Sequence, residues 1–218
     1  MTSNNARGPF RADHVGSLPR PERLLETRYQ GEDGEIGADE LRRMEDECIA
    51  EIVARQEAAG LRSITDGEYR RAVWHLDFLS QFDNAEPAPG RFVVGVDESG
   101  GEDESKGFRP ACMEVSGKLT RPHGIQTEDF KYLNSVVSET AKVCIPSPTL
   151  MHFRGGRDAV DKVAYPDMDG FFDDVAQVYN DEITELAALG LKYLQIDDTN
   201  MAFLCDARIR ETLAQLGD

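Results

Sequence analysis

The chain has no apolar run that approaches the roughly 20 residues of a membrane-spanning helix. Residues 1–9 are polar and lack the apolar core of a signal peptide. Basic residues are also scarce, since 24 Lys and Arg stand against 41 Asp and Glu, and the formal net charge is −17. Because an acidic surface repels phosphate groups, we expect neither a nucleic acid nor a membrane as a partner. These absences predict a cytoplasmic protein.

Cysteine is sparse and scattered, and no Cys-x-x-Cys or His-x-Cys pair occurs. This spacing argues against a disulfide framework and against a local zinc site, so buried free thiols are the simpler prediction. Residues 84–107 are rich in Pro, Gly and acidic residues but lack the ligand order of a calcium-binding loop. We expect a solvated, acidic surface excursion there.

The length and composition predict one folded domain over residues 1–218. With 40% hydrophobic and 30% charged residues, the chain can bury a sizeable core. Apolar residues recur at helical spacing over residues 39–59 and from 169 onward, and Gly60 and Gly190 are placed to end these two helices. A third helix is predicted from Thr127 to about Ala141.

Each of the first two helices is followed by a glycine, a short apolar strand and an acid, the acids being Asp66 and Asp197. Further strands are predicted over residues 12–15, 112–116 and 142–145, which makes about five strands. The recurring unit is typical of an α/β fold with parallel strands, in which functional loops gather at the carboxyl ends of the strands.

Three polar signatures end these apolar runs: His14-Val15-Gly16-Ser17, Thr65-Asp66-Gly67-Glu68 and Gln195-Ile196-Asp197-Asp198. The first can grip a carboxylate through the Ser17 hydroxyl and backbone N–H groups. Asp66 and Glu68 could direct one or two carboxylates at an amine. The carboxylate of Asp197 is expected at the mouth of the sheet, where an acid is costly unless it is used or paired. The alternatives are structural: a turn that needs small residues in the first signature, and capping by Asp side chains in the other two.

A fourth segment, Pro146-Ser147-Pro148-Thr149, closes another predicted strand and is followed by His152. Ser147 and His152 are accessory candidates for the same site, although a lone histidine is more often structural than catalytic. Gly155-Gly156 lacks the strand and helix context of a phosphate-binding fingerprint.

In this order, four motifs resemble the cobalamin-independent methionine synthase family, in particular its short single-barrel homologues. They are Arg11-Ala12-Asp13-His14-Val15-Gly16-Ser17, Ile64-Thr65-Asp66-Gly67-Glu68, Ile145-Pro146-Ser147-Pro148 and Gln195-Ile196-Asp197-Asp198. The resemblance implies a (β/α)8 TIM barrel in which zinc activates the thiol of homocysteine to attack the methyl group of a folate.

The resemblance also implies a clamp for the amino acid end of homocysteine, in which Ser17 and nearby N–H groups meet the carboxylate, and Glu68 and Asp197 meet the ammonium group. The implied substrate-binding residues are Val15, Gly16, Ser17, Glu68 and Asp197, with His14, Asp66, Ser147, His152 and Asp198 as accessory residues.

Two departures from the family limit the expected chemistry. The family's zinc ligands, a His-x-Cys pair with a later Glu and Cys, follow the strand that carries the counterpart of Asp197, as does the acid thought to protonate the folate. Here 21 residues follow Asp197, and they contain Cys205 but no histidine. We therefore expect no metal ligand and no catalytic residue in this chain. The folate-stacking tryptophan has no clear match after Pro148, and Asp198 stands where Glu is usual, so the methyl donor is left open.

About five strands in place of eight predict a barrel truncated after its fifth strand, whose open edge needs further strands, a partner chain or self-association. The leading hypothesis is the N-terminal portion of a zinc-dependent homocysteine methyltransferase, inactive by itself. The alternatives are a noncatalytic or split-barrel binding subunit that pairs with a complementary half-barrel chain, and a related thiol alkyltransferase. Decarboxylases of the porphyrin pathway share the barrel, but they bind carboxylates through basic residues, whereas Glu68 and Asp197 suit an amine.

Overall fold

A computed structural model describes residues 12–90 and 110–216 of the chain. The chain divides into two compact units: unit 1 comprises residues 1–72, 126–144 and 186–195, and unit 2 comprises residues 73–125, 145–185 and 196–218. No helix in the described part of the chain is both long and apolar enough to cross a bilayer. The helices are α1 Glu22–Glu32, α2 Ala38–Ala58, α3 Leu76–Leu79, α4 Thr127–Val136, α5 Met168–Ala188, α6 Asn200–Leu204 and α7 Ala207–Leu216. The strands are β1 Ser63–Ile64, β2 Ala85–Ala88, β3 Cys112–Val115, β4 Thr140–Pro146 and β5 Tyr193–Asp197.

Unit 1 is built on a three-stranded sheet of order β1-β4-β5. Strands β1 and β4 are parallel, with Ser63 opposite Thr140 and Ile64 opposite Ala141. Helix α2 packs against β1 and against helices α1 and α4. Strand β4 is buried from its second residue to its last, as expected for the central strand of a parallel sheet, whereas β5 at the edge is half-buried or exposed throughout.

Unit 2 contains a two-stranded antiparallel sheet in which β2 pairs with β3, with Ala85 opposite Val115 and Ala88 opposite Cys112. Helix α3 packs against β2, and two 3₁₀-helices, Pro148–Met151 and Arg157–Ala159, pack against β3. The described strands thus form one sheet of three and one of two, which is an α/β arrangement.

The two long helices end where the sequence predicts. Gly60 follows α2 with φ +85° and Gly190 follows α5 with φ +99°, a backbone conformation that glycine adopts without strain. The N–H of each next residue bonds back to a carbonyl in the last turn, Leu61 to Gln56 and Leu191 to Leu186. This is the hydrogen-bond pattern of a glycine-terminated helix.

The strand predicted over residues 12–15 is wrong, because these residues have no regular secondary structure. The carbonyl groups of His14 and Val15, and that of the following Gly16, accept hydrogen bonds from side chains instead of from a neighbouring strand. The donors are Lys142 Nζ to the carbonyl of His14, Gln195 Nε2 to that of Val15 and Thr65 Oγ1 to that of Gly16.

Two further predictions need correction. Residues 84–107 were predicted to be a surface excursion, but their beginning includes strand β2, which pairs antiparallel to β3, so the strands are not all parallel. Residues 91–107 lie outside the described residues. The helix predicted to reach about Ala141 ends at Val136, since strand β4 begins at Thr140.

Candidate functional site

Val15, Gly16 and Ser17 lie in a well-tethered loop of unit 1. The N–H of Gly16 donates to Nδ1 of His14 at 3.1 Å, and Nε2 of His14 lies 2.9 Å from Oε1 of Gln56. Both ring nitrogens of His14 therefore have partners within the protein. The side chain of Val15 is 70% exposed and Ser17 is also exposed, so the outer side of the loop is accessible to a ligand.

Gly16 brings this loop against an acid and a thiol. Its φ is +122°, and a β-carbon at this position would lie 2.6 Å from Sγ of Cys144 and 3.0 Å from Oε1 of Glu68. Sγ of Cys144 also lies 3.3 Å from the carbonyl oxygen of Val15. Because a side chain at position 16 meets both strain and a collision, only glycine fits here.

Glu68 is 4% exposed and has φ +57°, in the left-handed region that non-glycine residues seldom adopt. The turn is held by Oδ1 of Asp66, which accepts a hydrogen bond from the N–H of Glu68 at 2.9 Å. Nη1 of Arg71 lies 3.5 Å from Oε1 of Glu68. Asp66 thus caps a turn and orients Glu68, and the residues after it form turns, so it caps no helix.

A charged network lies next to the loop in unit 1. Asp13 accepts hydrogen bonds from Lys142 at 3.0 Å, from Ser63 at 2.7 Å and from the hydroxyl of Tyr193 at 2.6 Å. Burial alone would raise the pKa of Asp13, but the hydrogen bonds from Tyr193, Ser63 and Lys142 and from the N–H of His14 hold it below its ordinary value. Asp13 is therefore a carboxylate that anchors the segment preceding the loop.

Asp197 lies in unit 2 as the last residue of β5, and it is half-buried. Its carbonyl oxygen accepts a hydrogen bond from the N–H of Ser147 at 2.9 Å, which joins the ends of β4 and β5. Oγ of Ser147 lies 2.7 Å from Oγ1 of Thr149. Oδ1 of Asp198 accepts a hydrogen bond from the N–H of Asn200, the first residue of α6, so Asp198 holds the turn that leads into that helix.

His152 belongs to a different part of unit 2. Its ring packs edge-on against Phe172, with ring centroids 5.5 Å apart. It lines a cavity of about 320 Å³ whose other walls are Phe153, Leu204, Arg210 and Leu213. Within unit 1 the structure therefore brings Gly16 to Glu68, and within unit 2 it brings the backbone of Ser147 to that of Asp197.

Sequence reasoning missed four residues that support the loop: Lys142, Cys144, Tyr193 and Gln195. Their spacing in the sequence could have indicated that they share a strand face. Lys142 and Cys144 are two residues apart on β4, as are Tyr193 and Gln195 on β5, so each pair projects from a single face of its strand.

Two potential metal donors meet in unit 1, since a carboxylate oxygen of Glu68 and Sγ of Cys144 lie within 4.8 Å of each other. Zinc accepts both kinds of ligand, but protein zinc sites use at least three protein ligands. Both ring nitrogens of the nearby His14 have partners, as described above. The described residues of unit 1 therefore do not complete a zinc site by themselves.

Comparison with known proteins places this geometry in a family. Residues 10–215 match the family described as the cobalamin-independent synthase catalytic domain. The uncharacterized Bacillus subtilis protein YxjH is 35% identical over 217 residues, which are 99% of this chain and 55% of that protein. The 5-methyltetrahydropteroyltriglutamate–homocysteine methyltransferase of Thermotoga maritima is 23% identical over 192 residues, 87% of this chain and 24% of that enzyme.

A solved structure supports the same assignment. A Listeria monocytogenes protein classed with the vitamin-B12-independent methionine synthases matches with a TM-score of 0.72 and 34% identity, over 95% of this chain and 59% of that one. The chain thus spans little more than half the length of YxjH and of the Listeria protein. With a match that covers nearly all of its residues, this chain belongs to the family of the cobalamin-independent synthase catalytic domain.

Proposed function

We propose that this chain binds the amino acid end of a homocysteine-type thiol as part of a methyltransferase. The N–H groups of Val15 and Ser17 and the Ser17 hydroxyl would meet the substrate carboxylate, and Glu68 and Asp197 would meet its ammonium group. The observation that carries the proposal is the buried Glu68 carboxylate, held in a left-handed turn against Gly16.

The environment of Glu68 favours a cationic ligand. A carboxylate removed from water is costly unless positive charge or hydrogen bonds compensate it. Arg71 lies beside it, with Nη1 at 3.5 Å from Oε1 of Glu68, while its Nη2 donates to Oε1 of Gln126 and to the carbonyl of Cys144. Backbone strain at a buried acid is a recurrent feature of ligand-binding sites, and an ammonium group is the ligand of matching charge.

The residues named here hold and orient the substrate, and they make or break no bond. Fixing both charged ends of an amino acid restricts where its side-chain thiol can lie, and such positioning can lower a barrier by several kcal/mol. In this family zinc would supply the thiolate, since a free thiol is mostly protonated near neutral pH. Because unit 1 does not complete a zinc site, no step proposed for this chain depends on one.

The same proposal extends to the architecture. Strand β5 lies at the edge of its sheet with every residue half-buried or exposed, although a strand of a parallel sheet is normally covered on both faces. We infer that further strands beside β5 complete a (β/α) barrel, supplied by additional polypeptide, by a complementary chain or by a second copy of this chain. Size-exclusion chromatography with light scattering separates these cases, and a stable monomer that binds no second chain would count against the last two.

Substitution tests the clamp directly. We expect Glu68→Gln to weaken homocysteine binding by about 1.5–3 kcal/mol, the usual range for a hydrogen bond to a charged group, and Asp197→Asn to do the same. Calorimetry of the full chain measures both. Glu139→Gln is the matched control, because Glu139 forms an exposed pair with Arg62 at 3.4 Å. Unchanged affinity in Glu68→Gln would refute the role of Glu68.

One specific observation, the open edge at β5, also favours a noncatalytic binding subunit as a second candidate. Both candidates predict homocysteine binding, but only a catalytic chain transfers a methyl group. An assay of the isolated chain with homocysteine, a methyl folate and added zinc tests the noncatalytic role. Methyl transfer without a partner chain would exclude the noncatalytic role.

A further inference from the structure

Arg154, in unit 2, is a buried cation without an acidic partner among the described residues. Its exposure is 8%, and its Nη1 makes the two contacts found for this side chain, at 2.9 Å from Nε2 of His75 and 3.4 Å from the carbonyl oxygen of Ala111. Burial lowers the pKa of Arg154; Cys112 opposes that effect, and no described carboxylate does. Charges buried in proteins are normally paired, so this guanidinium stands out.

Two other arginines with little exposed side chain, Arg70 at 6% and Arg121 at 12%, lie beside acids. Arg70 lies within ion-pair distance of three acids: Glu45, Asp46 and Asp129. In unit 2, Arg121 bonds to Glu182 and Glu185. In a chain with 41 acidic residues, a buried arginine without one is not explained by a shortage of acids.

His75 does not compensate the charge, because it is itself neutral. Burial, and then the positive charge of Arg154, lower the pKa of His75 to about 4. At neutral pH its Nε2 can therefore accept the hydrogen bond from Nη1 of Arg154. His75 thus orients the guanidinium and accepts a hydrogen bond from its Nη1.

The opposite edge of the guanidinium has no acceptor in the part of the chain that the structure describes. Nε is buried without a hydrogen-bond partner, and no described residue accepts from Nη2. These two nitrogens form the edge with which arginine grips the two oxygens of a carboxylate or phosphate side by side. We propose that the Nε/Nη2 edge of Arg154 binds an oxyanion, the carboxylate or phosphate group of a small ligand, at a site that the proposed amino acid clamp does not include.

The chain carries its own reporter for this site. Trp74 is the single tryptophan, and its ring centroid lies 4.8 Å from that of His75. Titration of the full chain with sodium phosphate and with sodium acetate, at constant ionic strength balanced by sodium chloride, should therefore give a saturable change in tryptophan fluorescence. The tighter of the two anions identifies the ligand group as phosphate or carboxylate, and a response to neither overturns the proposal.

Variants locate the site. We expect Arg154→Met to lower the affinity for the anion at least tenfold. Arg154→Lys should lower it as well, because lysine keeps the charge but lacks the two adjacent N–H donors of the Nε/Nη2 edge. Arg208→Met is the control for loss of a positive charge, since Arg208 is 77% exposed in the same unit. It should leave the titration unchanged. Equal affinity in Arg154→Met and the wild type would place the anion elsewhere.

Stability of the ligand-free chain provides the second readout. If Arg154 lacks an acid within the chain, Arg154→Met should keep or raise the thermal midpoint, since it removes an uncompensated buried charge. Arg121→Met should lower it, because Glu182, which is fully buried, loses its partner. A fall in Arg154→Met as large as that in Arg121→Met, or failure of the variant to fold, would show that the guanidinium has an internal counter-ion and would overturn the proposal.

Discussion

Lys142 and Asp13 form an ion pair in which Nζ lies 3.0 Å from one carboxylate oxygen and 3.1 Å from the other. The side chain of Lys142 is fully buried, whereas that of Asp13 is 28% exposed. The pair connects strand β4 to the segment that precedes the Val15 loop. Its loss therefore bears on stability and on the site together.

Asp13→Asn should destabilise the chain, because it leaves the buried ammonium group of Lys142 without its counter-charge. Removal of one partner of a buried pair costs about 3–5 kcal/mol, and the partial exposure of Asp13 places this change toward the lower end. Urea denaturation measures it. Glu139→Gln breaks the exposed pair with Arg62 and should change stability by less than about 0.5 kcal/mol. Equal losses of unfolding free energy in the two variants would contradict a stabilising role for the pair of Lys142 with Asp13.

Stability should fall as the pH drops below about 6.5. The pKa of His75 is lowered from 6.5 to about 4, so between these values the unfolded chain binds a proton that the folded chain does not. The contribution of neutral His75 to the free energy of unfolding is complete above pH 6.5 and is lost progressively down to about pH 4. It amounts to something on the order of 3 kcal/mol. Unfolding free energies from pH 8 to 4 measure the slope. His75→Gln should flatten it, and an unchanged slope would show that His75 is not the group responsible.

Gly16→Ala should destabilise the chain more than Gly60→Ala, in which the new side chain is strained by a positive φ but collides with no other atom. A β-carbon at position 16 would be strained by the positive φ and would collide with Sγ of Cys144. The substitution should lower the free energy of unfolding by about 2–4 kcal/mol. At Gly60 the φ is also positive, +85°, but nothing lies within 4 Å, so Gly60→Ala should cost only about 1–2 kcal/mol. Thermal unfolding compares the two, and homocysteine calorimetry should show lost binding in Gly16→Ala alone.

The four thiols should react in two classes. Cys205 is exposed, whereas Cys48, Cys112 and Cys144 are buried. A thiol reagent such as DTNB should titrate one group quickly in the native chain and four in urea, since only an accessible thiolate reacts. A second fast thiol without denaturant would show that one of the three buried cysteines becomes accessible.

Local signals account for the parts of the fold that the sequence predicts. Helices α2 and α5 follow from apolar residues at helical spacing, and their ends follow from Gly60 and Gly190, because the information lies within one or two turns of chain. Strand β2 is absent from the prediction because its Pro- and acid-containing residues do not alternate, and its pairing with β3 depends on residues about 30 positions away.

The same distinction applies to the site. Short motifs around Gly16, Glu68 and Asp197 identify the family, but the non-strand conformation of the loop depends on Gln195, which is 180 positions from Val15 in the sequence. No local pattern contains such a partner. Asp66 and Asp198 each hold a turn by accepting a hydrogen bond from the N–H two residues further on. These roles likewise appear only in the structure.

By itself, the sequence determines the family, the two long helices with their glycine ends, and an α/β fold with short strands after each of them. The tertiary structure alone decides that Cys144 lies against Gly16, that Lys142 is buried on Asp13 and that Arg154 is buried with no acid beside it among residues 12–90 and 110–216. The physical reason is that periodicity and capping are properties of neighbouring residues, whereas burial, charge compensation and close contact depend on which distant side chains meet.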